Sequence, residues 1–277
     1  MAERVLRFGK NERLVGILSE PKVQEHAHNP IVIFLNSGLL HHVGPFRLHV
    51  DISRKIVKSG FTSLRFDIGG LGDSAPAETP EEDQRQVILD IQLAMDVLQE
   101  SCGVGRFVLI GLCTGAANAH RAAVADNRVV GYCALSGYAY PTLEYYIRRT
   151  LPVLKDKKRL KEFVKRTISN VIEEKSLLGA VVHTESMGWW LLPPKKQYLK
   201  ECEILFNRDV KTLGIFTSGD TYYIYERQLL DNIRKLNFFG NVTVKFNVNA
   251  DHTYTSTEQR IRLIEQIERW ICVTDYD

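Results

Sequence analysis

The sequence predicts an α/β fold in which a mostly parallel central sheet carries helices on both faces. Apolar runs recur along the chain, Ile31–Leu35, Thr62–Phe66, Arg106–Ile110, Val129–Leu135, Thr212–Phe216 and Val242–Val248 among them. They are near-continuous rather than alternating, the pattern of strands covered on both sides. Longer segments of helical periodicity separate several of them, and strand, helix, strand in that order is the signature of a parallel sheet.

The chain opens with two strand patterns, Arg4–Phe8 and Arg13–Leu18, about the polar turn Gly9–Asn11, which predicts an antiparallel hairpin. Ile31–Leu35 runs into the loop NSGLLHHVGPF and a helical pattern that ends at Lys58. Thr62–Phe66 precedes a loop rich in Gly, Pro and acid, then a helix over Glu81–Gln99. Arg106–Ile110 leads straight into a helix from Thr114 to Val124, and Val129–Leu135 is the next buried strand. The rhythm then breaks. Residues 141–203 read as helical, basic and aromatic-containing segments punctuated by Pro152, Pro193 and Pro194, an inserted helical lid on a core formed by residues 1–140 and 204–277. The α/β pattern resumes with Thr212–Phe216, a helix over Tyr222–Leu236, Val242–Val248 and a closing helix from Thr257 to Trp270.

At 277 residues with 44% hydrophobic and 25% charged residues, the chain has room for one large α/β domain with an insertion. The opening MAERVLRFGKNERLVG places charges where a signal peptide needs an apolar core, and no apolar run approaches a membrane span. Five cysteines, with no C-x-x-C pair, argue against a disulfide framework or a thiolate zinc site, so a reducing cytoplasm fits best. A net charge of +3 is too small to imply nucleic-acid binding. It is unevenly spread, however: residues 148–200 hold 13 Lys and Arg against 5 Asp and Glu.

Gly111-Leu112-Cys113-Thr114-Gly115 lies between an apolar strand and an Ala-rich helix. A tight strand-to-helix turn needs small residues on either side of its apex, and glycine supplies that room. Such a turn aims Cys113 outward at the start of a helix, whose dipole and free N–H groups favour a negatively charged sulfur. The Thr114 N–H then becomes half of an oxyanion hole. Downstream, one late strand runs into Thr217-Ser218-Gly219-Asp220 and the last runs into Asn249-Ala250-Asp251-His252-Thr253 before the final helix. The order nucleophile, acid, histidine makes Cys113, Asp220 and His252 a candidate triad. Histidine suits the role because its proton affinity lies near neutrality, and a carboxylate fixes its tautomer. Asp251 competes as the acid but adjoins the histidine and is better placed for a turn hydrogen bond.

The loop after Ile31–Leu35 is the place for the second oxyanion donor, here the Leu39 N–H, with Gly38 allowing close backbone approach. Ser37, Gly38, His41, His42, Trp189 and Trp190 are candidate pocket residues. No metal is expected: His41, His42 and His49 are close in sequence, but adjacent histidines rarely chelate one ion and no acid or cysteine follows at ligand spacing. Nor is a cofactor. Gly70-Leu71-Gly72-Asp73-Ser74-Ala75 matches G-x-G-x-x-A, yet Ala-Pro-Ala-Glu-Thr-Pro follows and leaves no helix start to receive a pyrophosphate.

With these residues placed, the chain resembles the α/β-hydrolase superfamily over essentially its whole length. It is most similar to the exosortase-associated hydrolases of bacterial exopolysaccharide clusters, in the stretch NSGLLHHVGPFRLHVDISRKIVKSGFTSLRFDIGGLGDS, the turn GLCTGA and the loops SGDTYY and ADHTYTS. The resemblance implies a hydrolase-like fold and a Cys, Asp, His site without fixing a substrate. A cysteine in the turn also resembles dienelactone hydrolases and polyester synthases, which hold acyl groups as thioesters. A thioester passes its acyl group to water, amine, alcohol or thiol, so the turn alone does not separate a hydrolase from an acyltransferase.

The expected substrate is a small acyl compound: an ester, lactone or thioester. The basic surplus of the lid would suit a coenzyme A ester or an acyl carrier protein, and equally a solvated helix face. A non-catalytic binding protein that has kept the fold is the rival from another class.

Overall fold

β1 (Ala2–Phe8) and β2 (Leu14–Glu20) pair antiparallel about a short 3-10 turn at Lys10–Glu12. This is the hairpin the sequence predicts. The remaining strands are β3 (Ile31–Leu35), β4 (Ser63–Phe66), β5 (Phe107–Leu112), β6 (Val129–Leu135), β7 (Lys211–Thr217) and β8 (Val242–Asn247). All eight join one sheet in the order β1-β2-β4-β3-β5-β6-β7-β8. β2 meets β4 antiparallel, and every pairing from β4 through β8 is parallel. The structure is a computed structural model that describes residues 1–22, 29–81, 83–155, 192–238 and 240–276.

The helices are α1 (Leu48–Lys58), α2 (Asp83–Cys102), α3 (Thr114–Ala125), α4 (Leu143–Lys155), α5 (Lys195–Asn207), α6 (Gln228–Ile233) and α7 (Thr257–Val273). Strand side chains alternate between faces, and both faces here are covered. Ile31, Ile33, Leu35, Phe107 and Leu109 pack with Ile91, Met95 and Leu98 of α2 and with Ala116, Ala119 and Ala123 of α3. Val32, Phe34, Val108 and Ile110 face the opposite way, onto Leu48, Ile52 and Ile56 of α1 and Leu263, Ile267 and Trp270 of α7. The run of small residues in α3 has a clear use, since alanine lets the helix lie close on the strands beneath it.

Two expectations need adjustment. The helix predicted over Tyr222–Leu236 is confined to Gln228–Ile233. The Gln228 side chain takes the partners a longer helix would use: its Oε1 accepts the Ile224 N–H at 3.0 Å and its Nε2 donates to the Tyr222 carbonyl at 2.7 Å. Tyr223 turns inward and stacks on Phe216 with ring centroids 3.7 Å apart. At the lid, both flanks are helical, but the expected boundary at Glu203 falls inside α5, which buries Tyr198, Cys202 and Leu205. Residues 156–191, which include most of the expected lid, lie outside the described residues.

Leu109 is fully buried at the centre of the sheet. Leu109→Ala should therefore lower unfolding free energy by about 2–5 kcal/mol, the range for a buried leucine with no room to collapse. Urea unfolding measures it; a loss below about 1 kcal/mol would contradict this packing.

Candidate active site

β5 ends at Leu112 and α3 starts at Thr114, so Cys113 alone makes the turn, with φ 58° and ψ −115°. A non-glycine residue in such a conformation costs on the order of 1–3 kcal/mol and persists only where its surroundings over-determine it. They do here. The Cys113 N–H donates to the Leu135 carbonyl at 2.9 Å, and its carbonyl accepts the N–H groups of Ala116 and Ala117 at 3.1 and 3.3 Å. A Cβ added to Gly111 would stand 2.1 Å from the Gly115 carbonyl carbon, and one added to Gly115 would stand 2.7 Å from the Asn36 carbonyl oxygen. The two glycines thus let β5, α3 and the β3 loop touch backbone to backbone.

His252, in the loop between β8 and α7, donates from Nδ1 to Asp220 Oδ1 at 2.7 Å. This hydrogen bond, together with one to Cys113, raises the imidazole from its ordinary 6.5 to about 10 against the opposing effect of burial. A chain from buried carboxylate through imidazole to sulfur is in place. Asp220 is 2% exposed, and its second oxygen accepts from Ser136 Oγ at 2.7 Å and from the Thr217 N–H at 2.8 Å. Ser136 follows β6 at positive φ, 52°, and its carbonyl accepts the Tyr222 hydroxyl at 2.8 Å. Sequence reasoning missed Ser136 and Tyr222; the sole signal was a Ser-Gly pair directly after a buried strand.

Asp251 makes the turn expected of it. Its carboxylate accepts from the N–H groups of Thr253 and Thr255 at 2.9 and 3.0 Å. Burial raises its affinity for a proton, but hydrogen bonds from Thr255 and Thr253 outweigh that and bring it to about 2.

Of the oxyanion candidates, Thr114 is the first residue of α3, so its N–H has no intrahelical partner. The facing loop is tied to it, since the Gly38 N–H donates to Thr114 Oγ1 at 2.5 Å. Leu39 follows at the surface within a turn closed by the Leu40 N–H on the Ser37 carbonyl, 3.0 Å. Ser37 is buried beneath it. Trp189 and Trp190 lie outside the described residues, as do His26, His28 and His183.

His41 and His42 are turned toward Asp67 and Asp73. His42 Nδ1 is 2.7 Å from Asp67 Oδ2, and His41 Nε2 is 3.1 Å from Asp73 Oδ2. The acids absent at ligand spacing in sequence are thus supplied in space by the loop after β4. His49 stands apart, buried in the first turn of α1 beside Phe34, where burial lowers it to about 4 and keeps it neutral. His120 is buried between the Tyr132 hydroxyl and Glu201. Of the other cysteines, burial pushes the Cys133 thiol far up and the Cys202 thiol up to about 12. Cys113 is only partly buried.

No family model matches the chain, and no curated protein matches it in sequence. Solved structures do. The chain is similar to Est1E from Butyrivibrio proteoclasticus, at 14% identity and TM-score 0.58 over 96% of this chain and 97% of that one. It is similar to the carboxylesterase CesB from Bacillus subtilis, at 16% identity and TM-score 0.59 over 99% and 93%. A serine hydrolase without lid from Xanthomonas campestris aligns at 15% identity and TM-score 0.57 over 99% and 97%. At such identities the likeness speaks for architecture alone, and with the sheet order above it defines an α/β-hydrolase fold. Among the described residues, no helix is long and apolar enough to cross a membrane.

Two outcomes follow from this geometry. Gly111→Ala should collapse the turn, lowering stability by at least about 1–3 kcal/mol through overpacking; an unchanged urea midpoint would show that the backbone contact is not tight. The second concerns pH. A group raised from 6.5 to about 10 on folding contributes stability that is complete below 6.5 and lost as pH rises through about 10. Across that window the urea midpoint of the wild type should fall more steeply than that of His252→Gln, and parallel curves would remove His252 as the cause.

Proposed function

We propose that the protein is an enzyme of the hydrolase type that acts on an ester, lactone or thioester through an acyl-cysteine intermediate. The observation that carries this is the hydrogen-bonded chain Asp220, His252, Cys113, with the sulfur at a strained strand-to-helix turn. His252 Nε2 takes the Cys113 proton, while Asp220 accepts the Nδ1–H and steadies the positive ring. Sulfur attacks the carbonyl carbon, and the oxyanion is met by the N–H groups of Thr114 and Leu39. Collapse expels the alcohol or thiol, protonated by His252. Water then enters, gives a proton to His252 and attacks the thioester; the carboxylic acid leaves and Cys113 recovers its proton.

Several features support this reading. CesB, which shares the fold, is a carboxylesterase by name. The Xanthomonas campestris protein is a serine hydrolase by name, whereas the turn here holds cysteine, so the intermediate is a thioester rather than an oxygen ester. Leu39 and Leu40 expose apolar side chains one and two residues beyond Gly38, which is bonded to Thr114, and suit an acyl chain.

A second reading, acyl transfer to an amine, alcohol or sugar in a natural-product or exopolysaccharide pathway, follows from the thioester and from one further feature. An open groove beside the Asp220 loop is lined by Arg148, Arg149, Leu151, Thr221 and Ile224 and could admit an acceptor or an anionic carrier such as coenzyme A. Both arginines already have partners, Arg148 in Glu144 and Arg149 in the Tyr145 hydroxyl, so their net attraction is reduced.

The test is intact-mass spectrometry after brief exposure to p-nitrophenyl esters and acyl thioesters. One acyl adduct on Cys113, absent from Cys113→Ala and longer-lived in His252→Ala, is the expected result, and its decay in water against added amine or alcohol separates hydrolase from transferase. Asp220→Asn should lower turnover by up to roughly 10⁴-fold. Absence of any adduct, with Cys113 inert to iodoacetamide, would favour a non-catalytic binding protein.

A further inference from the structure

We propose that His41, His42, Asp67 and Asp73 form a binding site for one divalent transition-metal ion, with zinc as the best-suited species, clipping the loop after β3 to the loop after β4. The proposal is independent of the acyl chemistry.

The four residues offer two imidazole nitrogens and two carboxylate oxygens, all within 4.8 Å of one another. His41 Nε2 lies 3.1 Å from Asp73 Oδ2 and 3.3 Å from Asp67 Oδ2, and His42 Nδ1 lies 2.7 Å from Asp67 Oδ2. Tetrahedral zinc with bonds of about 2.0–2.1 Å places its ligands about 3.4 Å apart. Two of these spacings already agree within about 0.3 Å, and the third must open by about 0.7 Å as an ion replaces a shared proton. Two carboxylates and two neutral imidazoles balance a divalent charge, and mixed nitrogen and oxygen ligation suits zinc better than calcium or magnesium, which take oxygen.

The surroundings are built as a metal site requires. Asp67, the innermost ligand, is fixed through its other oxygen, which accepts from the His42 N–H at 2.6 Å and from Asn36 Nδ2 at 2.8 Å. Hydrogen-bonded carboxylates of this kind orient the ligand before the ion arrives. Gly72, at φ +49°, brings the outer loop onto the cluster: a Cβ there would stand 2.3 Å from Asp67 Oδ2 and 2.7 Å from His41 Cδ2. His41 and Asp73 remain partly open to solvent at 39% and 62%, which gives the ion a path in. Ligation through His41 Nε2 moves its proton to Nδ1 and releases the long 3.4 Å contact from the Val43 N–H.

Without metal, the same atoms make a network in which each histidine gives one proton to one carboxylate. That network is the alternative the experiment must separate. Because a thiol beside an imidazole also takes zinc, Zn²⁺ is titrated by calorimetry into the full chain carrying Cys113→Ala, with Co²⁺ absorption as a second reading. One ion per chain is expected, with cobalt d–d bands and no thiolate charge-transfer band. Asp73→Ala and His41→Ala, both at solvent-accessible positions, should each weaken binding at least tenfold with unchanged far-ultraviolet circular dichroism. Absence of binding, or an affinity in both variants unchanged from that of the parent Cys113→Ala chain, would overturn the proposal and leave the protonic network as the sole state.

Discussion

The tightest glycine approach among the described residues is the crossing of β5 and α3, where Gly111 faces the Gly115 carbonyl with no room for one more carbon. Placing Cys113 at its strained φ and ψ requires that approach, and the approach requires glycine at both positions. What surrounds it follows. Gly115 lies against the carbonyls of Leu35 and Asn36, so the β3 loop must pass directly over the turn. The Leu135 carbonyl receives the Cys113 N–H, so β6 must end level with it. The turn fixes the register of three neighbouring strands as much as they fix the turn.

Much of the fold was legible because the core strands write their position twice. Ile31, Ile33 and Leu35 serve one face while Val32 and Phe34 serve the other, and a strand apolar at every position admits no other environment than a two-sided cover. The segment after Asp220 was not legible for an equally physical reason. Periodicity reports which residues are buried, and Tyr222, Tyr223 and Tyr225 are buried or half-buried at a spacing that suits a helix. They reach that burial by stacking and by hydroxyl bonds, with Gln228 occupying the backbone groups.

The site divides along the same line. Cys113, Asp220 and His252 each stand in the turn or loop that follows a strand, and strand ends are visible in sequence. Ser136, which holds the far oxygen of Asp220, and Asp67, which gathers His41 and His42, are matched to partners 84 and 25 residues away. No local pattern encodes such partnerships. They depend on β6 lying beside β7 and on β4 lying beside β3, which is topology rather than sequence.

The loops that carry Asp220 and His252 are joined more firmly than a single hydrogen bond suggests. Gly219 lies so near His252 that a Cβ would fall 2.7 Å from the His252 backbone nitrogen, and Ser218 Oγ donates to the carbonyls of Val248 and Ala250. The two loops are thus packed backbone to backbone, and the Asp220–His252 hydrogen bond spans a joint that is closed on the backbone side as well. The β3 loop meets the turn both at the Gly38–Thr114 bond and where Gly115 lies against the Leu35 and Asn36 carbonyls. Cys113 is therefore braced from both sides, and a side chain enlarged in either loop would be felt at the turn itself.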